Sequence, residues 1–246
     1  MKRLSLLLLL LPGLVQAQKL RVAVAANAQF VMETLQVAFQ KQTGQQLETI
    51  VGSSGKLTTQ IQQGAPYDVF LSADMSYPAA LHAQKLTVSA PVVYAYGSLV
   101  LWTMRELPLS ADLSVLLSPK MRHVAVANPK VAPYGEAAMT LLTKRKLTDR
   151  VQAKIVYGES IAQVNQYLLT GAADVCFTAK SVVLDPAMKG KGHWLDLPAG
   201  YEPIAQGVVV LQRTTQPKLA QQFITFLRSP VARRILQQFG YKLPTT

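Results

Sequence analysis

From Lys19 onward, short apolar runs alternate with segments whose apolar residues recur every three or four positions. A run of four to seven apolar residues suits a strand covered on both faces, and the longer period suits a helix with one face buried. The spacing predicts a strand over Leu20–Ala26 and a helix over Ala28–Lys41, with Phe30, Val31, Leu35, Ala38 and Phe39 on its inner face. "LETIVG" follows as a strand before a short helix, Lys56–Gln63, and "YDVFLSA" as a strand before the helix "SYPAALHAQ", with Ser76 as its cap. Strand–helix units in succession predict an α/β fold with largely parallel sheets.

The alternation is interrupted by "VVYAYGSLVLWT", a long extended run with Gly97 in its middle. A second block then begins with a helix near Leu113–Leu117, the strand "HVAVA" and the loop "NPKVAPYG", which leads into a helix from Glu136 to Lys146. "AKIVY" leads into the helix "SIAQVNQYLLTG", where Ser160 and Gln163 form an S-x-x-Q capping box and Gly171 ends the helix. The strands "ADVCFTA" and "HWLDLPA" come next, then the extended run "IAQGVVVLQ" around Gly207, and closing helices, one with Ser229 as cap and Pro230 at its first position. Two similar blocks joined by extended crossings predict two lobes, residues 18–97 with 206–246 forming the first and 98–205 the second. Strand crossings of this kind serve as hinges for closure over a ligand. The alternative is that Gly97 and Gly207 mark strand bulges.

The first residues, "MKRLSLLLLLLPGLVQA", combine a basic start, an apolar stretch too short to span a bilayer and a small-residue cleavage site. Residues 1–17 therefore read as a secretory signal peptide, and without a cysteine at the cleavage point no lipid anchor is expected. The mature chain is expected to be a soluble periplasmic protein. Cys176 is the only cysteine, so no intramolecular disulfide can form, and its place inside "ADVCFTA" suits a small core residue. The net charge is +12, or +10 without Lys2 and Arg3. The basic residues stand in short scattered groups such as Lys144–Arg145–Lys146 rather than in a stripe interleaved with aromatics, so nucleic acid is not an expected partner.

Four strands share a regular ending. Each is followed by a junction of small or polar residues and then a helix: Ala26–Asn27, Ser53–Ser54–Gly55, Pro133–Tyr134–Gly135 and Glu159–Ser160–Ile161. In a parallel sheet such junctions gather at the carboxyl edge, where helix N-termini present free N–H groups and a partial positive charge. Taken singly, Asn27 and Ser160 are ordinary helix caps. Two junctions in each lobe, facing across a cleft, could together donate to a tetrahedral oxyanion. Enzymatic chemistry finds no support. His82, His123 and His193 lie in unrelated contexts without metal-ligand spacing, no nucleophile motif or P-loop is present, and Asp68, Asp74 and Asp174 read as turn or cap residues.

The segments "VAVAAN", "VGSSGKLTTQIQQGAPYDVFLSAD" and "VANPKVAPYGEAA", in this order, with "SPVARRILQQFGY" near the end, resemble the periplasmic molybdate-binding proteins of molybdate ABC transporters over essentially the whole mature chain. The resemblance implies a type II periplasmic binding fold, closing two lobes around molybdate or tungstate and delivering it to a membrane permease. It implies a monomer without a cofactor, in which molybdenum is met only as its oxyanion. It places Ala26 and Asn27, Ser53 and Ser54, the backbone N–H of Tyr134 and that of Ile161 around the anion. Many members carry serine at the position of Asn27 and a ligand-binding tyrosine at that of Thr178; here Tyr134 is the candidate replacement for that tyrosine. Molybdate is fully ionised at neutral pH, so donors alone suffice, whereas phosphate keeps a proton and needs an acceptor. Among the junction residues only Glu159 is acidic, and it leaves phosphate open. The competing readings are a receptor for sulfate, phosphate or a small organic anion, an exported enzyme on the same fold, and a partner-binding or sensory protein.

Overall fold

A computed structural model describes residues 19–197 and 199–245. The expected signal peptide lies outside the described residues. The strands are β1 (Leu20–Ala25), β2 (Leu47–Gly52), β3 (Val69–Ser72), β4 (Val92–Gly97), β5 (Leu99–Thr103), β6 (Val124–Ala127), β7 (Ile155–Gly158), β8 (Val175–Ala179), β9 (His193–Leu197) and β10 (Ile204–Val210). The helices are α1 (Gln29–Thr43), α2 (Ser54–Gln62), α3 (Ser76–Ala83), α4 (Pro133–Lys144), α5 (Thr148–Val151), α6 (Ile161–Leu169), α7 (Lys180–Val183), α8 (Pro217–Leu227) and α9 (Pro230–Gln238).

The strands form two five-stranded sheets, ordered β2-β1-β3-β10-β4 and β7-β6-β8-β5-β9. In the first, β10 runs against β3 and β4 while the others share one direction; in the second, β5 runs against β8 and β9. The two sheets therefore have the same plan, and the chain passes between them at Ser98 and again between β9 and β10. Each is buried under helices, which is why β3, β5, β6 and β8 are buried along their length and mostly apolar. Cys176 is fully buried in β8, as a core residue. In the first lobe, Val31, Met32, Leu35 and Phe39 of α1 face the sheet. Edge-on contacts of Phe39 with Phe223 and Phe226, at 5.4 and 5.2 Å, tie α8 to the same core. The C-terminal segment thus completes the first lobe. Its last stretch adds a bridge to β4, Tyr96 and Lys242 exchanging backbone bonds at 2.7 and 2.9 Å.

Several expected boundaries move. A 3-10 turn over Ala26–Ala28 stands between β1 and α1, and the helix near Leu113 is a 3-10 turn at Ser114–Leu117. Helix α2 starts at Ser54 because Ser53 caps it, and α4 starts at Pro133, whose fixed φ suits a first helical position. Ser76 does not cap α3. The acid before it does: Asp74 Oδ1 accepts from the Tyr77 N–H at 3.3 Å, and Ser76 Oγ donates to Asp74 Oδ2 at 2.5 Å. The Ser160 cap holds, its Oγ accepting from the Gln163 N–H at 3.4 Å, but the Gln163 side chain returns to the N–H of Glu159 rather than of the cap, at 2.6 Å. Strand β10 shifts register between Gln206 and Gly207, so Gly207 does mark a bulge.

The lobes meet directly. The Gly55 N–H donates to the Val131 carbonyl at 2.9 Å and the Tyr77 hydroxyl to the Lys130 carbonyl at 3.2 Å. Ala25, Ala26 and Ala73 of the first lobe pack into the apolar core of the second beside Tyr134 and Ile161.

Candidate oxyanion site

All four junctions reach this contact region. Ala26, Asn27, Ser53, Ser54, Tyr134 and Ile161 are each at most 4 % exposed, although they belong to two lobes and span 135 positions of chain. Local geometry explains what each can offer. Ser53 caps α2, its Oγ accepting from the Lys56 N–H at 3.4 Å, and this leaves its hydroxyl proton to donate. Ser54 follows as the first residue of α2, and its Oγ accepts from the Ala73 N–H at 3.0 Å. That bond too occupies an acceptor position and leaves the hydroxyl proton to donate. Ser54, Tyr134 and Ile161 all lie in first turns, at or next to the first helical position. Their N–H groups have no carbonyl of their own helix to meet. Among the described residues, their N–H groups find no other backbone acceptor either. Three helix starts and the Ser53 and Ser54 hydroxyls therefore carry uncommitted donors on residues buried where the lobes meet.

Asn27 is held differently. Its Nδ2 donates to Gln206 Oε1 at 2.7 Å and to the Tyr241 hydroxyl at 3.1 Å, so both amide hydrogens are engaged. Its own carbonyl accepts from Ser181 Oγ at 2.6 Å and from the Tyr241 hydroxyl at 3.3 Å. Its Oδ1 is buried and has no partner among the described residues. Thr178 is committed elsewhere as well, its hydroxyl donating to Asn165 Oδ1 at 2.6 Å within the second lobe. Gln206, Tyr241 and Ser181 were not singled out by the sequence, although a glutamine inside the apolar run "IAQGVVV" and the tyrosine ending "ILQQFGY" are the signals that mark them.

The site is neutral inside and charged only at its rim. Burial pushes the Tyr134 phenol well above its ordinary value, reinforced by neighbouring Tyr241, Tyr94 and Tyr201 and opposed by the Asn27 amide. Burial likewise pushes Tyr241 up to about 12, against the pull of its bonds with Ser181 and Asn27. Both phenols stay protonated, and thus able to donate, across the physiological range. Glu159 does not enter the site: its carboxylate is half exposed and pairs with Lys56 Nζ across the lobes at 2.8 Å. This pair lines a recess of about 250 Å³ with Ser53 and Ser160 at the cleft mouth. The described residues contain no group of three His, Cys, Asp or Glu side chains fit to hold a metal ion. Buried neutral donors on residues from both lobes are the chemistry that an anion with acceptor oxygens only would require.

Comparison with known proteins identifies the family. Residues 20–242 match the family model of bacterial extracellular solute-binding proteins. The chain is 38 % identical to the molybdate-binding protein ModA of Azotobacter vinelandii over 93 % of its length and 91 % of the relative's. It is 36 % identical to the molybdate-binding protein ModA of Rhodobacter capsulatus, over 89 % of this chain and 86 % of that one. The solved periplasmic molybdate-binding protein of Azotobacter vinelandii superposes with a TM-score of 0.88 at 37 % identity, covering 92 % of this chain and all of that one. With its two-sheet architecture, its cleft of helix starts and these relatives, the chain belongs to the molybdate-binding branch of the bacterial extracellular solute-binding proteins.

Proposed function

We propose that this protein is the periplasmic receptor of a molybdate ABC transporter, capturing molybdate or tungstate between its lobes and presenting it to the membrane permease. Residues 18–97 with 206–246 would move as one lobe and 98–205 as the other, bending where the chain crosses between sheets. The observation that supports the reading is that Ser54, Tyr134 and Ile161, each in the first turn of a helix, are all buried where the two lobes meet, with the Ser54 hydroxyl proton left to donate. A fully ionised oxyanion needs donors only, and helix N-termini supply them with a favourable dipole. Ala26, Asn27 and Ser53 complete the wall. The reading is of a monomeric receptor rather than an enzyme, exported by its leader.

A second reading has one specific observation behind it. Asn27 Oδ1 is a buried acceptor without a partner, and a protonated oxyanion such as hydrogen phosphate would satisfy it. Calorimetry and thermal denaturation of the mature protein with molybdate, tungstate, sulfate and phosphate separate the two. Molybdate and tungstate are expected to bind one per chain, and at a hundred times its Kd either should add about 2.7 kcal/mol of stability. Tighter binding of phosphate or sulfate than of molybdate would overturn the assignment.

A further inference from the structure

The residues around Asn27 come from three distant parts of the chain. Ser181 stands in α7 of the second lobe, Gln206 on β10 at its bulge, and Tyr241 in the C-terminal segment after α9. All are buried, Gln206 completely. The orientation of the Gln206 amide is fixed independently of Asn27, because its Nε2 donates to the carbonyls of Ala73 at 3.1 Å and Ile204 at 2.9 Å. Its Oε1 can therefore only accept, and it draws in Asn27 Nδ2. This in turn fixes which edge of the Asn27 amide carries the acceptor. The Tyr241 hydroxyl takes the second amide hydrogen and lies 3.3 Å from Ser181 Oγ, while Ser181 donates to the Asn27 carbonyl.

We propose that Gln206, Tyr241 and Ser181 are positioning residues for anion binding: they lock Asn27, and with it the first helix start, to the hinge strand and to the second lobe. The inference rests on the oxyanion reading of the cleft. In it the Asn27 side chain is consumed by the scaffold and its contribution to the ligand runs through the backbone it holds in place. The location of Gln206 makes the coupling physical. It sits where β10 changes register, so bending of that strand moves Oε1 and the Asn27 amide together. The unpartnered Asn27 Oδ1 belongs to the same group, beside the Tyr134 phenol that reaches from the second lobe.

Tyr241→Phe tests the inference with the ring kept and one oxygen removed. Calorimetry with molybdate on the mature wild-type protein comes first. If the wild type fails to bind, the oxyanion reading falls, and the inference with it. If it binds, Tyr241→Phe should raise Kd at least fivefold, and Ser181→Ala, altered in the other lobe, should weaken binding in the same direction. In an Asn27→Ala background the fold-loss from Tyr241→Phe should shrink, because the bond to the amide is gone while those to the residue-27 carbonyl and Ser181 remain. A purely structural role would instead lower the melting temperature without ligand and leave Kd alone. Wild-type affinity in Tyr241→Phe and Ser181→Ala, or an equal fold-loss from Tyr241→Phe in both backgrounds, would overturn the positioning role while leaving the oxyanion reading intact.

Discussion

Gly97 ends β4, at the passage from one sheet to the other, and it is there for space rather than for backbone freedom, since its φ lies outside the left-handed region. A Cβ at this position would stand 1.9 Å from the Tyr134 hydroxyl oxygen, 3.0 Å from its Cζ and 3.1 Å from Gln206 Nε2. Comfortable carbon contacts lie at roughly 3.5–4 Å, so in Gly97→Ala the tyrosine ring must withdraw by more than an ångström. Overpacking of this kind costs about 1–3 kcal/mol. Tyr134 hangs from α4 in the second lobe, and in the proposed function its N–H donates to the anion, so the cost would fall on the lobe arrangement that binds it. We expect Gly97→Ala to raise the molybdate Kd by about 5–150-fold, the equivalent of that energy. The melting temperature without ligand should change little. Tyr134→Phe removes the 1.9 Å clash and keeps the N–H, so the double variant should regain part of the lost affinity. Calorimetry on the three variants, with thermal denaturation alongside, reads both quantities. Wild-type affinity in Gly97→Ala, or a loss that Tyr134→Phe deepens to the sum of two independent effects, would refute the reasoning.

Three further outcomes are expected. Ser54→Ala removes one hydroxyl donor to a charged ligand and should weaken molybdate binding by about 1.5–3 kcal/mol in calorimetry, while the α2 cap at Ser53 remains. Gly135→Ala places a Cβ 2.0 Å from the Ala127 carbonyl oxygen, a backbone atom that cannot step aside, and should lower the melting temperature by several degrees at about 2–4 °C per kcal/mol. Asp174 is partly desolvated, which raises its pKa, but the His123 and Arg122 N–H groups and the Arg105 guanidinium outweigh this and hold it below its ordinary 3.8. A depressed carboxyl stabilises above its unfolded value and stops doing so as pH falls through its folded one. Asp174→Asn should therefore melt earlier than the wild type at pH 7, and the gap should close on acidification below 3.8.

Much of the architecture was written locally. The apolar run of β1, the helical period behind Asn27, the Ser53 and Ser160 caps and the Ser229–Pro230 start each depend on neighbours within a few positions, so sequence spacing records them. The repeated junction of small residues before a helix also carried the oxyanion reading, because a helix N-terminus has unmet N–H groups wherever it is placed. The role of a side chain at such a junction is a different matter. Asn27 reads as a cap or a ligand from its surroundings in sequence, yet its amide bonds to Gln206 and Tyr241, 179 and 214 positions away. Glu159 reads as the one acidic junction residue, which leaves phosphate open, and in the structure its carboxylate pairs with Lys56 of the other lobe. Local chain geometry determines which donors exist. Which of them remain unspent depends on partners brought in by folding, and only the packing of two lobes and a returning C-terminal segment decides that.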